Sequence, residues 1–262
     1  MSKPRGRLGS LLKETVKGIL PDGILKHLHA ADHYINGERE LRLLRRVCPP
    51  GRTAIDVGAN IGTYTYFLQR FTARVHAYEP NPELAGRLLK LFPDVNVRNA
   101  AVSDAASTLL LTVPVRNGRV NHERGSVAQD FSDSENVLTY EVPAVTLDSE
   151  DLEDVGFLKI DAEQHEMAVL RGAMRTITRC RPVVLCEVTP LLYPRPLPEM
   201  FHALTSAGYK GWFHFAGSYH PFDDFDQERH ANRALWKKSF MGGNVFLFPL
   251  EIHNTDALLN RR

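Results

Sequence analysis

The spacing of apolar residues changes near Gly51. Before it, Leu8, Leu11, Leu12, Val16, Ile19 and Leu20 recur at helical intervals with Lys13 and Lys17 between them, which predicts a short basic amphipathic helix. Pro21-Asp22-Gly23 marks a turn, and residues 24–47 carry further helical patterning that closes at Cys48-Pro49-Pro50-Gly51. Such a helix suits packing on its own domain or on an oligomer partner, and its basic face would also suit a peripheral membrane contact.

From Gly51 onward, short apolar runs alternate with helical segments, the pattern of βαβ units around a mostly parallel sheet. Strands are expected at Thr53–Val57, Val75–Tyr78, Val95–Asn99, Phe157–Ile160, Val183–Glu187 and Val245–Phe248, with helices near 62–71, 82–91, 162–179 and 197–207. The stretch 105–147 breaks this rhythm. Two β-like runs, Thr108–Val113 and Thr139–Leu147, bracket a polar segment, which predicts an inserted hairpin with a long loop of the kind that serves as a lid. Near the C-terminus, Gly208, Gly211 and Gly217 punctuate the aromatic run Tyr209, Trp212, Phe213, Phe215 and Tyr219. Alternating strand positions explain that run better than a sugar-stacking surface, and they predict an antiparallel finish to the sheet. The expected architecture is a doubly wound, Rossmann-like α/β domain over 51–250, with a helical segment at 1–50 and a tail at 251–262.

Charge narrows the function. With 32 Lys+Arg against 31 Asp+Glu the formal net charge is +1, which argues against a protein built to grip nucleic-acid phosphates. Cys48, Cys180 and Cys186 lack C-x-x-C spacing, so reduced structural thiols in a cytoplasmic setting are expected. The chain contains no run of apolar residues long enough for a transmembrane helix, and its basic start is too interrupted by charge for a signal peptide.

The first chemically informative stretch is Asp56-Val-Gly58-Ala59-Asn60-Ile-Gly62, a strand entering a glycine turn before a helix. Glycines there let the backbone approach a ligand closely, and Asn60 suits the cap of the following helix. A dinucleotide fingerprint would need glycines at 58, 60 and 63, where this chain has Gly58, Asn60 and Thr63. The pyrophosphate site is therefore spoiled, and a nucleoside cofactor without pyrophosphate is the better match. Glu79, at the end of the second strand, could accept both hydroxyls of a ribose.

Asp56-Val-Gly58-Ala59-Asn60-Ile-Gly62 together with Glu79-Pro80-Asn81-Pro82 resembles the FkbM family of S-adenosylmethionine-dependent methyltransferases. Ala100-Ala101-Val102-Ser103-Asp104, Gly125-Ser126, Thr146-Leu147-Asp148, Phe157-Leu-Lys159-Ile-Asp161-Ala-Glu163 and Arg181-Pro182 before Glu187 agree with the family pattern, so the resemblance runs from about Gly51 to Pro249. It implies a seven-stranded methyltransferase sheet and methyl transfer to an oxygen of a sugar or natural-product hydroxyl. It also implies S-adenosylmethionine held by Asp56, Gly58, Ala59, Asn60, Gly62, Glu79, Pro80, Ala101, Val102 and Asp161. One departure stands out. The family reads Asp-x-Glu-Gly-x-Glu where this chain reads Asp161-Ala-Glu163-Gln164-His165-Glu166.

Within that segment, Asp161 and Gln164 have the spacing of a capping box. Glu163 falls on a helical stripe with Met167, Leu170, Met174 and Ile177, which would bring its carboxylate to the strand ends, and Glu187 reaches the same edge. His165 would lie roughly 160° from that stripe, which argues against a general-base role, whereas His122 could reach a substrate if the inserted loop closes. Asp161, Glu163 and Glu187 form the catalytic set: they could take the proton of an acceptor hydroxyl or hold magnesium that acidifies it. The expected partner is a small-molecule or glycan acceptor. An NAD-type oxidoreductase and a non-catalytic binding module that keeps the fold are the alternatives; Gln164 is the hint for the second.

Overall fold

The computed structural model describes residues 22–116, 119–128, 131, 136–188, 196–230 and 243–260. The predicted helix over Leu8–Leu20 lies outside them, as does part of the inserted loop. Helix α1 (Asp22–Asn36), a 3₁₀ turn (Arg39–Arg42) and α2 (Leu44–Val47) lead into β1 (Thr53–Val57). Two βα units follow: α3 (Thr63–Phe71), β2 (Arg74–Tyr78), α4 (Pro82–Leu91) and β3 (Asn96–Arg98). Pro82 sits in the first turn of α4 and Asn81 caps it, its side-chain oxygen accepting the Glu83 N–H at 3.0 Å.

The insert comprises β4 (Ala101–Val102), β5 (Ser107–Arg116), β6 (Arg119–Val120) and β7 (Asn136–Val145). Then come β8 (Val155–Ile160), α5 (Glu166–Arg171), α6 (Met174–Cys180), β9 (Val183–Glu187), α7 (Leu197–Met200), α8 (His202–Ser206), β10 (Tyr209–Phe215), β11 (Ser218–Pro221), α9 (Gln227–His230), β12 (Asn244–Pro249) and α10 (Thr255–Asn260). The main sheet has the order β11-β10-β12-β9-β8-β1-β2-β3. From β3 to β9 the neighbours are parallel, and β12, β10 and β11 add antiparallel.

Both faces of this sheet are covered, as a parallel sheet requires. Ile55, Val57, Leu158 and Ile160 belong to the core on one face, while Ala54 and Phe157 belong to the core on the other. The resemblance implies seven strands; the sheet has eight. Ala216 and Gly217, at φ 48° and 92°, make a tight hairpin that folds Ser218–Pro221 back onto β10 as an extra edge strand. The aromatic run is strand as expected, Tyr209–Phe215 in β10 and Tyr219 in β11, but β10 is buried at most positions instead of alternating, and all three cysteines are free thiols.

The insert is more than a hairpin. β5 and β7 pair from Ser107↔Ala144 to Val115↔Asn136, but β4 joins β7 and β6 joins β5 to make a separate four-stranded sheet. It has a small core of its own in Ala101, Leu111, Val113, Val142 and Ala144. Leu147, expected as strand, instead begins a 3₁₀ turn capped by the Thr146 hydroxyl. Among the described residues no helix is long and apolar enough to cross a membrane.

Candidate functional site

At the carboxyl ends of β1, β2 and β8, where doubly wound sheets bind ligands, lies a pocket. Gly58, Asn60, Glu79, Pro80, Ala101, Val102, Asp161 and Glu163 line it, and His122, Gly125, Ser126 and Val127 of the insert complete its wall. Seven of the residues expected around a cofactor therefore meet in one place. Asp56, Ala59 and Gly62 do not line it: Asp56 accepts the Thr65 hydroxyl at 2.6 Å, and the Gly62 N–H closes the turn on the Ala59 carbonyl at 2.8 Å.

The turn is built by sign of φ. Gly58 (70°), Asn60 (53°) and Gly62 (85°) all adopt left-handed backbone. At Gly58 a side chain is excluded twice over, since a Cβ would also sit 1.8 Å from the Asp161 carbonyl oxygen. Asn60 consequently is not the helix cap, as its residue type suggests. Gly62 occupies the cap position, and Asn60 instead points its backbone N–H at Glu79 Oε2, 2.7 Å away. The Asn81 N–H binds the other oxygen, Oε1, at 2.9 Å. These two bonds fix the plane of a carboxylate that is otherwise buried. Burial drives the Glu79 carboxyl up to about 7 against the pull of both N–H groups and of Lys159.

After β8 the chain departs from the predicted helix over 162–179. Glu163 and Gln164 have φ 48° and 76°, so the helix begins only at Glu166, with His165 at its cap position. No capping box forms between Asp161 and Gln164. The Glu166 carboxylate takes that place, accepting the N–H groups of Ala162 and Gln164 at 3.0 Å each. Nor does Glu163 stand on the Met167 stripe; the left-handed turn carries it to the pocket by a different route. The insert locks this turn, because the Ser126 hydroxyl donates to the Glu163 carbonyl at 2.6 Å while Ser126 bridges Thr112. A second break at Gly172 separates α5 from α6, where a Cβ would lie 2.0 Å from the Ser103 carbonyl oxygen.

With Glu163 and Gln164 in left-handed backbone, His165 is not turned away on a helix and it too lines the pocket. The His165 Nε2 and the Ser103 hydroxyl share a hydrogen bond of 2.9 Å, and the same hydroxyl lies 3.3 Å from the Asp104 carboxylate. Burial lowers this imidazole below its ordinary value, opposed by Asp104. The Asn81 amide, oriented by the Glu83 N–H, donates to His122 Nδ1 at 3.2 Å, which occupies that lone pair and leaves the proton on Nε2.

Glu187 does not line the pocket, but it is tied to it by charge. Burial pushes its carboxyl up to about 8, helped by Asp161 and Glu38 and opposed by Lys159. Glu163 is raised by burial and by Asp161. Glu38, which no local pattern in the sequence marks, accepts the Tyr64 hydroxyl at 2.5 Å. Lys159 stands within the family-pattern stretch Phe157–Glu163 without a role of its own there, although a lysine inside the all-buried strand β8 is itself a signal. Among the described residues no three His, Cys, Asp or Glu side chains converge to hold a metal ion, so the magnesium expectation finds no support in the geometry.

Residues 56–210 match the model of a family described as the methyltransferase FkbM domain. Among solved structures, the chain is similar to methyltransferase FkbM from Methylobacillus flagellatus KT, with 15% identity, a TM-score of 0.38 and coverage of 67% of this chain. It spans less than half of that relative, 46% of its length. Precorrin-6y C5,15-methyltransferase from Geobacter metallireducens GS-15 is 13% identical, with 80% of this chain and 84% of that chain covered and a TM-score of 0.40. A TehB-like SAM-dependent methyltransferase from Corynebacterium glutamicum ATCC 13032 Kitasato is 12% identical, with 87% and 97% covered and a TM-score of 0.41. No curated protein matches the chain.

Proposed function

Because the chain belongs to the FkbM methyltransferase family, we propose that it transfers a methyl group from S-adenosylmethionine to a hydroxyl oxygen of a sugar, on a glycan, glycolipid or glycosylated natural product. The observation that carries the cofactor half is the Glu79 carboxylate. Each of its oxygens already accepts one backbone N–H, and a carboxylate has about four lone-pair sites, so each oxygen retains one for a ribose hydroxyl. Leu84, Val102, Leu111 and Val127 supply an apolar wall for the adenine. When bound, S-adenosylmethionine supplies an electrophilic methyl group on a sulfonium.

The acceptor hydroxyl has to lose a proton as its oxygen attacks. Glu163 is the proposed base: it lines the pocket, and burial together with Asp161 makes it more basic than an ordinary carboxylate. Asp161, which lines the pocket with it, is the proposed acceptor for a neighbouring hydroxyl, and Glu187 acts on both by charge from outside the pocket. His165, which also lines the pocket, is the second reading for the base.

Calorimetric titration with S-adenosylmethionine, S-adenosylhomocysteine and NAD tests the cofactor. Micromolar binding of the first two without NAD is expected; binding of NAD alone overturns the proposal in favour of an oxidoreductase, and binding of none leaves the fold as a non-catalytic module. Methyl transfer to a panel of sugars then tests the acceptor. A methyl group found on nitrogen or carbon would remove the hydroxyl assignment. Glu163→Gln should bind the cofactor normally and lose turnover.

A further inference from the structure

β8 is buried along its whole length and yet carries a lysine. The Lys159 side chain is only 5% exposed. Its ammonium donates to the Gly58 carbonyl at 2.9 Å and to that of Val57 at 3.4 Å, and it lies 3.4 Å from both Asp56 Oδ1 and Asp161 Oδ2. Gly58 and Asp161 line the pocket side by side, one from the β1 turn and one from the exit of the neighbouring strand β8. The two backbones touch there, with the Asp161 N–H donating to the Val57 carbonyl at 3.1 Å. Lys159 is the side chain that ties both strand exits to one point, and it does not itself line the pocket.

Its charge reaches further than its hydrogen bonds. Burial alone would push the ammonium down, but Asp161, Asp56, Glu187 and Glu38 together hold it above its ordinary value. In return it pulls down Glu79, Glu163, Glu187 and Glu38, each of which burial drives up. Two buried carboxylates, Asp56 and Glu79, and four half-buried ones, Glu38, Asp161, Glu163 and Glu187, share one end of the sheet, a concentration of negative charge that calls for a compensating cation.

We propose that Lys159 is the positioning residue of this site: it fixes the Gly58 turn against Asp161 and supplies the positive charge that lets Glu79 receive a ribose as an anion. The proposal rests on the S-adenosylmethionine reading and acts through Gly58, Asp161 and Glu79, not through contact with the cofactor. Glu79 is bonded by the N–H groups of Asn60 and Asn81, the Asp56 carboxylate and the Lys159 ammonium act on it by charge, and His122 lies across Asn81.

The test is calorimetric titration of the full chain with S-adenosylhomocysteine across pH, for wild type, Lys159→Met and Lys159→Arg, with circular dichroism to establish folding. Wild-type binding should weaken below neutrality. In Lys159→Met the affinity should fall at least about tenfold, and the acid limb should move up by about a pH unit or more, because the carboxylates hold their protons longer without the cation. Lys159→Arg keeps the charge and alters the reach, so it should keep the wild-type limb while losing several-fold in affinity. A merely structural lysine would lower the melting temperature and leave the limb in place. A folded Lys159→Met with an unmoved limb overturns the proposal. If Lys159→Met does not fold, a Lys159→Arg protein with full affinity or a displaced limb overturns it. Failure of wild type to bind S-adenosylhomocysteine would instead overturn the cofactor reading.

Discussion

Two turns meet side by side at the pocket, after the neighbouring strands β1 and β8, and they reach similar backbone shapes by opposite means. The turn after β1 spends glycine on left-handed positions, at Gly58 and Gly62, with Asn60 the third. The turn after β8 places Glu163 and Gln164 there, residues that pay a steric cost at positive φ. That strain persists because neighbours impose it: the Glu166 carboxylate holds two N–H groups, and Ser126 of the insert holds the Glu163 carbonyl. One turn is encoded in its own residues. The other is encoded in contacts, which include a segment 37 positions away in the chain.

The comparison breaks first at the side that binds. Glu79→Ala removes the carboxylate to which the β1 turn is fitted, together with both remaining acceptor sites. We expect S-adenosylmethionine binding to weaken by a factor of at least about a hundred, on the order of 3 kcal/mol, from two lost charge-assisted bonds. Retained tight binding in calorimetry would sink the ribose-clamp assignment and leave the glycine turn without a ligand.

Next in size is a pH effect on the same residue. The Glu79 carboxyl sits at about 7 in the fold against 4.5 ordinarily, so the protonated form is the one the empty fold favours. Its contribution to stability is therefore complete below pH 4.5 and is lost as pH rises through 7, a cost on the order of 3 kcal/mol. Cofactor binding runs the other way, because the ribose needs the anion: affinity should fall about tenfold per pH unit below neutrality. Thermal melts of wild type against Glu79→Gln, with and without S-adenosylhomocysteine, isolate both trends. Parallel profiles for the two proteins would rule out Glu79 as their source.

This contrast also explains which parts of the molecule are legible from sequence. The parallel strands, the Gly58–Gly62 turn and the position of Glu79 are legible because each is written in local pattern: apolar runs, glycines, a carboxylate at a strand end. The helix expected over 162–179 is not, since its residues have helical spacing and nothing among them announces two positive φ values or the break at Gly172, where β4's neighbour Ser103 presses in. The same misplaced helix yields the wrong argument about His165 and puts Glu163 at the pocket for a reason that does not hold. Lys159 and Glu38 act through tertiary contacts 101 and 26 residues long, to Gly58 and Tyr64, and no window along the chain spans those.

On the β8 side, Glu166→Ala should destabilise the fold by about 2 kcal/mol, because two partly buried N–H groups lose their acceptor. Chemical denaturation measures it directly. An unchanged midpoint would show that water or the remaining backbone holds this turn, and that its shape is less dependent on Glu166 than its geometry indicates.

The smallest effect is the one that sharpens the comparison most. Gln164 stands where the FkbM pattern has glycine, and its φ of 76° lies in the region that glycine enters without steric cost. Gln164→Gly would relieve that strain while giving the unfolded chain more freedom to lose. The first effect is worth about 1–3 kcal/mol and the second about 0.5–1 kcal/mol, so a net gain centred on about 1 kcal/mol, and no more than about 2.5 kcal/mol, is expected. The melting temperature should rise by a few degrees with cofactor affinity unchanged, since the backbone already has the shape that glycine would allow. A fall in stability would mean that the Gln164 side chain contributes more than its backbone costs, and the substitution at this position would then be an adaptation of the β8 turn instead of a tolerated strain.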